Sequence, residues 1–287
     1  MTQSLRDLVE AELGQPVDPR VKAMAAAIAA KHGEASRAVL FYGSCLREQQ
    51  LDALMLDFYL IVSDYESAYD QRWLAKANAL IPPNVFPFQH DGLAAKYAVL
   101  SERDFYRLNG PETRNVSVWA RFAQPSRLVW TRDETASVAA IMAVSRAAPT
   151  LLAAAGRVDG EPALDWWRRA FSLTYSAELR AERKGRAGSV IDADLERYER
   201  FSPAVVAAID PAIPAAGWLR RRMEGKVLSV LRLAKASATY AGGAEYIVWK
   251  INRHAGTDIE LKPWQKRHPL LAAISLLPRL LRSGAIR

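Results

Sequence analysis

The chain has 287 residues, half of them hydrophobic and about a quarter charged, which is typical of a globular protein and excludes a disordered or low-complexity chain. Its single cysteine excludes an internal disulfide. The formal charge of +8 is uneven, because residues 218–287 contain 14 Lys and Arg against 4 Asp and Glu and the remainder is slightly acidic, a pattern that favours phosphate-rich partners.

The first predicted elements place a carboxylate inside a buried strand. Residues 21–31 are rich in alanine and predict a helix. The apolar run Arg37–Tyr42 predicts a strand that ends at a Gly-Ser turn, residues 43–44. Met55–Val62 is almost continuously apolar, which predicts a central strand covered on both faces, and Asp57 is its polar exception.

The rest of the chain predicts an α+β fold with three regions. The further predicted elements are a helix over 64–81, strands over 96–100 and 127–130, helices over 133–155, 163–183 and 192–201, and a long basic helix from residue 218. We therefore expect a mixed sheet with flanking helices in residues 1–131. A mostly helical second domain is expected over 132–215, and a basic helical region that contacts a membrane surface over 216–287.

The Gly-Ser turn followed by a strand with an embedded carboxylate is the layout of polymerase β-like nucleotidyltransferases. Gly43 has no side chain, so its backbone can approach a triphosphate closely. Ser44 and neighbouring N–H groups can donate hydrogen bonds to phosphate oxygens. Asp57 can hold Mg²⁺, which bridges phosphate oxygens and offsets their charge.

Two features keep another interpretation of Asp57 open. The usual superfamily pattern has a second acid two residues later, on the same face of the strand, and here that residue is Tyr59. Asp64 is too far along an extended strand to share an ion with Asp57. The alternative is that Asp57 is a buried structural residue whose carboxylate oxygens accept hydrogen bonds from the protein. Burying an acid in so apolar a strand is unfavourable without a partner.

Four short segments resemble, in order, the mitochondrial translocator assembly and maintenance protein family. They are Leu56-Asp57-Phe58 with Val62 and Asp64, Lys96-Tyr97 with Val99 and Ser101, Ala120-Arg121-Phe122 with Pro125, and Thr174-Tyr175-Ser176 with Glu178 and Arg180. That family uses Mg²⁺ to make CDP-diacylglycerol from CTP and phosphatidate. The resemblance covers roughly residues 37–201, and the C-terminal third matches poorly.

The resemblance implies a nucleotidyltransferase-like sheet and a role for each matched polar residue. Gly43 and Ser44 would contact the triphosphate, Asp57 would bind Mg²⁺, Lys96 and Arg121 would be catalytic cations near the phosphates, and Tyr175, Ser176 and Arg180 would bind the nucleotide from the second domain. Lys96 and Arg121 could otherwise be surface cations, and Tyr175 could pack in a core.

The C-terminal segment predicts contact with a membrane surface. Residues 270–281 place apolar side chains on one helical arc, but this run is too short to span a bilayer. The residues expected to contact the membrane are Lys262, Trp264, Lys266, Arg267, Arg279 and Arg282. The alternative is a helix docked on the protein's own core. We expect a peripheral protein at a bacterial cytoplasmic face or the matrix face of the mitochondrial inner membrane.

Two classes of function follow from these observations. The first is an enzyme with CTP, phosphatidate and an anionic membrane surface as partners, with nucleic acid not expected; a soluble alcohol or an RNA end is the alternative acceptor. The second is a non-catalytic membrane- or nucleic-acid-binding module with a degenerate nucleotide site, which the absence of an acid at Tyr59 keeps open.

Overall fold

The computed structural model describes residues 3–47, 51, 54–178, 190–211, 217–239, 260 and 262–264. The strands are β1 Ser36–Tyr42, β2 Met55–Val62, β3 Asn84–His90, β4 Leu93–Ser101 and β5 Ser126–Thr131. The helices are α1 Leu5–Leu13, α2 Pro19–Lys31, α3 Tyr65–Ala68, α4 Arg72–Leu80, α5 Glu102–Leu108, α6 Trp119–Phe122, α7 Glu134–Ser145, α8 Ala147–Ala155, α9 Ala163–Ala177, α10 Leu195–Ala207 and α11 Trp218–Thr239.

The five strands form one mixed sheet in the order β3-β4-β2-β1-β5. Only the β2–β4 pair is parallel among these strands, and the other three pairs are antiparallel. The expected α+β fold, a mixed sheet with flanking helices followed by further helices, is confirmed. Strand β2 occupies the central position, as its continuous apolar sequence predicts, so Asp57 lies in the middle of the sheet.

The two faces of the sheet belong to two hydrophobic clusters. The front face carries Leu40, Tyr59 and Ala98, which pack in one cluster with buried residues of α1 and α5 to α10. The back face carries Phe41 and Phe58, which pack in a second cluster with residues of α2 to α4. Because alternate residues of a strand point to opposite faces, Asp57 shares the front face with Tyr59.

Several predicted elements differ in detail from the observed ones. The helix expected over 64–81 is interrupted at residues 69–71, where Tyr69 takes an extended backbone and its ring packs beside Phe86. The helix expected over 133–155 divides at Arg146. Strand β3 was not predicted. It contains Pro87, which an edge strand tolerates because its outer N–H groups need no partner.

One helical stretch among the described residues has the length and composition to cross a membrane. It spans residues 134–155, the sequence of α7 and α8, and 61% of its most apolar window is buried inside the protein. Its buried residues belong to the front-face cluster.

The described part of the basic C-terminal region packs against the rest of the protein. Helix α11 begins at Trp218, whose indole Nε1 donates to the carbonyl oxygen of Ala154 at 3.0 Å. Farther along, Arg114 Nε lies 2.8 Å from Glu224 Oε2. The next residue, Gly225, lies so close to α9 that a Cβ there would be 2.1 Å from the carbonyl oxygen of Ala177. A glycine at this position therefore allows α11 to pack directly on α9.

Candidate active site

Three polar positions form one row across the front face of the sheet. Tyr42 of β1 lies opposite Asp57 of β2, and Asp57 lies beside Lys96 of β4. Side chains of residues in register point to the same face. The pairing of β1, β2 and β4 therefore brings Asp57 and Lys96 together, although 39 positions separate them in the sequence.

Asp57 and Lys96 form an ion pair. Lys96 Nζ lies 3.0 Å from Asp57 Oδ1, and the side chains of Lys96 and Asp57 are 25% and 22% exposed. The carboxylate is therefore neutralised within the sheet yet remains within reach of a solute. Asp57 therefore has a feature of each interpretation. Like a structural buried acid it has a partner, Lys96, and like a metal ligand it is partly accessible.

Gly43 brings the backbone against the same carboxylate. Its φ of +97° lies in the region that residues with a side chain rarely adopt. A Cβ placed on Gly43 would lie 3.4 Å from Asp57 Oδ2, so the missing side chain leaves the second carboxylate oxygen uncovered. Ser44 follows at the start of a short 3₁₀ turn, and its side chain lies outside the described part of the structure.

Arg121 reaches this row from helix α6. Its guanidinium carbon lies 5.5 Å from the centre of the Tyr42 ring, and its Nε is buried with no hydrogen-bond partner among the described residues. Burial alone lowers the pKa of Arg121, but the nearby phenol and carboxyl groups raise that pKa above its usual value overall; these groups belong to Tyr42, Tyr59, Glu178 and Asp57. Arg121 is therefore a permanent cation facing the Asp57 row.

Tyr59, at the position where polymerase β-like nucleotidyltransferases have a second acid, has a packing role. Its side chain is 3% exposed, and its ring centre lies 5.3 Å from that of Tyr42 and 5.1 Å from that of Phe122. Burial raises the pKa of Tyr59, and the charge of Arg121 partly opposes this change. The phenol therefore stays neutral, and it forms part of an aromatic wall next to Asp57.

A second polar group adjoins Arg121, and only one of its members, Glu178, lies in a segment singled out from the sequence. Ser117 Oγ donates a hydrogen bond to Glu178 Oε1 and accepts one from Arg232 Nη1. Arg232 belongs to α11, and its Nε donates to the carbonyl oxygen of Pro82 at 2.9 Å. Glu178 is only 9% exposed. The C-terminal helix therefore contributes a cation to the neighbourhood of the predicted site.

Lys235 lies about one helical turn after Arg232 on α11. Its Nζ donates to the carbonyl oxygens of Ile81 and Pro83, the latter at 2.9 Å. Burial, together with the charge of Arg232, lowers the pKa of Lys235 to about 7. Its charge near neutral pH is therefore easily changed, unlike that of an arginine.

The structure places the other predicted nucleotide-binding residues less directly. Tyr175 is partly buried and packs against the front-face cluster. Ser176 Oγ donates to the carbonyl oxygen of Leu173 at 2.7 Å and accepts from Arg222 Nε at 3.1 Å, so its described contacts lie toward α11. Arg180 lies outside the described residues. The roles of all three stay predictions.

The expected membrane-contact residues are described only in part. Lys262 and Trp264 are exposed, and 43% of the Trp264 side chain is accessible. Lys266, Arg267, Arg279 and Arg282 lie outside the described residues. Exposure of an aromatic side chain between basic residues agrees with the expected surface contact, which stays a prediction.

The surroundings of Asp57 suit a Mg²⁺ ion that has few protein ligands. Among the described residues, no three His, Cys, Asp or Glu side chains are grouped so that they could hold a metal. Mg²⁺ usually takes one or two protein carboxylates and fills its remaining positions with phosphate oxygens and water. The partly buried carboxylate of Asp57, with Oδ2 beside the uncovered Gly43 backbone, fits an ion that arrives with a triphosphate.

A separate cavity lies on the back face of the sheet. It measures about 350 Å³, and its lining includes Val21, Phe41 and Cys45. The sheet separates it from Asp57, because Phe41 and Asp57 belong to opposite faces. We therefore do not assign this cavity to the chemistry of the Asp57 row.

No protein-family profile matches the chain, and no curated protein matches it significantly.

Proposed function

We propose that this protein is a Mg²⁺-dependent phosphatidate cytidylyltransferase, which transfers CMP from CTP to phosphatidate and releases pyrophosphate. The observation that carries the proposal is the position of Asp57. Its carboxylate lies between the uncovered backbone of Gly43 and the ammonium group of Lys96, with Arg121 nearby. Phosphoryl chemistry needs this combination, because catalysis depends mostly on positioning and on neutralising negative charge.

The reaction proceeds by displacement at phosphorus. An oxygen of the phosphatidate phosphate attacks the α-phosphorus of CTP, and the bond from that phosphorus to the bridging oxygen breaks. Pyrophosphate leaves with the bonding electrons, and CDP-diacylglycerol remains. The attacking group is already an anion, so no side chain must remove its proton. Asp57 would hold Mg²⁺, and the bound ion would offset the negative charge of the triphosphate.

The protein groups act by binding and orientation. The triphosphate competes with Asp57 for Lys96, so the ion pair opens toward the ligand. Arg121 remains charged in its buried position and offsets negative charge without being reoriented by solvent. The backbone of Gly43 limits how far the phosphates can move from Asp57.

The direct test is synthesis of the product. The full chain is incubated with Mg²⁺, CTP and phosphatidate in mixed detergent micelles, and the extracted lipids are analysed by mass spectrometry. We expect CDP-diacylglycerol and an equal amount of pyrophosphate, both lost when EDTA removes the metal. No product under conditions where the protein binds CTP would contradict the proposal.

A specific observation favours a second candidate, a non-catalytic module with a degenerate nucleotide site. Tyr59 stands in the core where a second acid is usual, and Lys96 already neutralises Asp57. Such a module would bind a nucleotide without turnover. Titration with CTP, with and without Mg²⁺, separates the candidates: the enzyme requires metal-dependent binding and transfer to an acceptor. A soluble alcohol or an RNA end offered in place of phosphatidate tests the remaining acceptors.

A further inference from the structure

Two arginines from distant parts of the chain converge on one carboxylate. Arg121 of α6 and Arg232 of α11 both interact electrostatically with Glu178 and with the phenol of Tyr59. They also repel each other, and this repulsion, after the larger effect of burial, lowers the pKa of Arg232. Glu178 is therefore the described carboxylate that acts on both guanidinium groups in a buried environment, and Asp57 acts on Arg121 as well.

Each of these arginines has a buried N–H group without a partner among the described residues. The atoms are Nε of Arg121 and Nη2 of Arg232. Leaving a buried donor unsatisfied is unfavourable, especially when it belongs to a charged group. Arg232 is nevertheless held firmly, because its other nitrogens donate to Pro82 and Ser117. Both buried donors therefore lack a hydrogen-bond partner that an anionic ligand could supply.

The chemistry of the two donors selects the class of ligand. Guanidinium groups bind the oxygens of phosphates and carboxylates, and two of them together favour a dianion. Glu178 offsets one of the two positive charges, so the pair of arginines still carries net positive charge. A phosphate monoester meets these requirements, since it carries close to two negative charges at neutral pH and several acceptor oxygens.

We propose that Arg121 and Arg232 form the subsite for the phosphate monoester of the acceptor, next to the nucleotide site at Gly43 and Asp57. The assignment to an acceptor rests on the proposed function. It follows from position: Arg121 also faces the Asp57 row, so a phosphate between the two arginines adjoins the triphosphate that it must attack. Arg232 is supplied by α11, which leads into the basic C-terminal region.

The subsite gives Ser117 and Glu178 a positioning role. Glu178 accepts from Ser117, and Ser117 accepts from Arg232, so the chain of hydrogen bonds fixes the direction of the guanidinium group. Buried networks of this kind hold a side chain in one orientation. None of these residues needs to touch the reacting phosphorus.

The experiment measures binding of two ligands separately, without turnover. Calorimetric titration of the full chain uses dihexanoyl phosphatidate, kept below its micellar concentration, and in a second series CTP with Mg²⁺. Arg232→Gln should weaken phosphatidate about 10- to 100-fold, the effect of losing a hydrogen bond to a charged group, and should leave CTP affinity within about twofold. Lys226→Gln removes the same charge from an exposed position of α11 and should change neither affinity.

Thermal melts accompany each variant, because Arg232 also bonds to the protein. If Arg232→Gln does not fold, Arg232→Lys retains the charge and should still weaken phosphatidate selectively. Unchanged phosphatidate affinity, or a loss of CTP affinity as large as that of phosphatidate, would overturn the acceptor subsite. A wild-type protein that binds phosphatidate through Arg232 but forms no CDP-diacylglycerol would instead refute the proposed function and leave the subsite standing.

Discussion

At the scale of single residues, the candidate site depends on what surrounds one carboxylate. Asp57 is flanked by the backbone of Gly43, directly after β1, and by Lys96 on β4. The three strands place these groups together, and no loop conformation is needed beyond the positive φ of Gly43. A site built on adjacent strands is rigid, which favours accurate placement of a phosphate.

Removing either predicted cation should impair use of the nucleotide. In Lys96→Ala and Arg121→Ala, we expect the affinity for CTP or its turnover to fall about 10- to 100-fold, because each loses a charged hydrogen bond to phosphate. Binding to lipid vesicles should change less. The measurements are steady-state kinetics and vesicle sedimentation, with Arg220→Ala, a cation on the exposed surface, as control. Unchanged CTP use in both variants would make them ordinary structural or surface cations.

The sequence was sufficient for part of this site. Gly43, Asp57, Lys96 and Arg121 were predicted, and the structure brings them to one neighbourhood. Arg232 was not singled out, because its contribution depends on how α11 folds back over the sheet, and no local pattern encodes that path. The Ser117 contact to Glu178 was missed for the same reason, since 61 positions separate the two residues.

At the scale of elements, helix α11 connects the basic C-terminal region to the site. It packs on α9 at Gly225 and carries Arg232 and Lys235 to the loop before β3. The sequence predicted a long basic helix from Trp218 but not its docking. Strand β3 was missed because Pro87 is unfavourable in most strands, whereas β2 and β4 were predicted from their apolar runs.

A side chain at Gly225 should separate α11 from α9. A Cβ there would lie 2.1 Å from a backbone carbonyl oxygen of α9, and a backbone cannot rotate away as a side chain can. We expect Gly225→Val to lower the free energy of unfolding by about 1–3 kcal/mol, as overpacking usually does, and to weaken phosphatidate binding by displacing Arg232. Urea denaturation and calorimetry measure the two effects.

The control for this helix is Lys226→Val, a substitution at the next, exposed position. It places a similar β-branched side chain in the same helix without meeting α9. Equal behaviour of the Gly225 and Lys226 variants would show that the α9 contact does not position α11.

At the scale of the whole molecule, one hydrophobic cluster joins the front face of the sheet to helices on both sides of residue 131. A buried ion pair spans the same boundary: Arg197 Nη2 of α10 donates to Glu12 Oε1 of α1 at 2.9 Å, and the side chains are 4% and 6% exposed. Arg197 also donates to the carbonyl oxygen of Ala123 at 3.2 Å. No local sequence pattern predicts this pair, because its members lie 185 positions apart.

Replacing only one member of this ion pair should destabilise the protein more than replacing both members with apolar residues. Arg197→Met leaves Glu12 charged and buried without its partner, and we expect the free energy of unfolding to fall by about 3–5 kcal/mol. The double variant Glu12→Leu with Arg197→Met should recover much of that loss, because no buried charge remains. Chemical denaturation of the two variants and the wild type gives the comparison. A double variant that is less stable than Arg197→Met would contradict this account.

The uneven charge predicts how the whole molecule meets a membrane. Removing residues 262–287 should release the protein from anionic vesicles and leave CTP binding intact. Binding of the full chain should weaken with rising salt, since charges are screened beyond ~8 Å at physiological ionic strength, and an apolar contribution should resist salt. Vesicle sedimentation measures this, and a thermal melt tests the alternative in which truncation exposes core. Unchanged vesicle binding would exclude the segment from membrane contact.

The most direct test of the central claim, transfer of CMP at Asp57, follows the label of CTP into lipid. The full chain and Asp57→Asn are incubated with Mg²⁺, phosphatidate micelles and CTP labelled on either the α- or the γ-phosphate. For the wild type, the α-label should enter the organic phase as CDP-diacylglycerol and the γ-label should remain in water as pyrophosphate. Asp57→Asn, with an unchanged melt, should transfer at least about 100-fold less α-label. Equal transfer by a folded Asp57→Asn protein, or none by the wild type, would contradict the account.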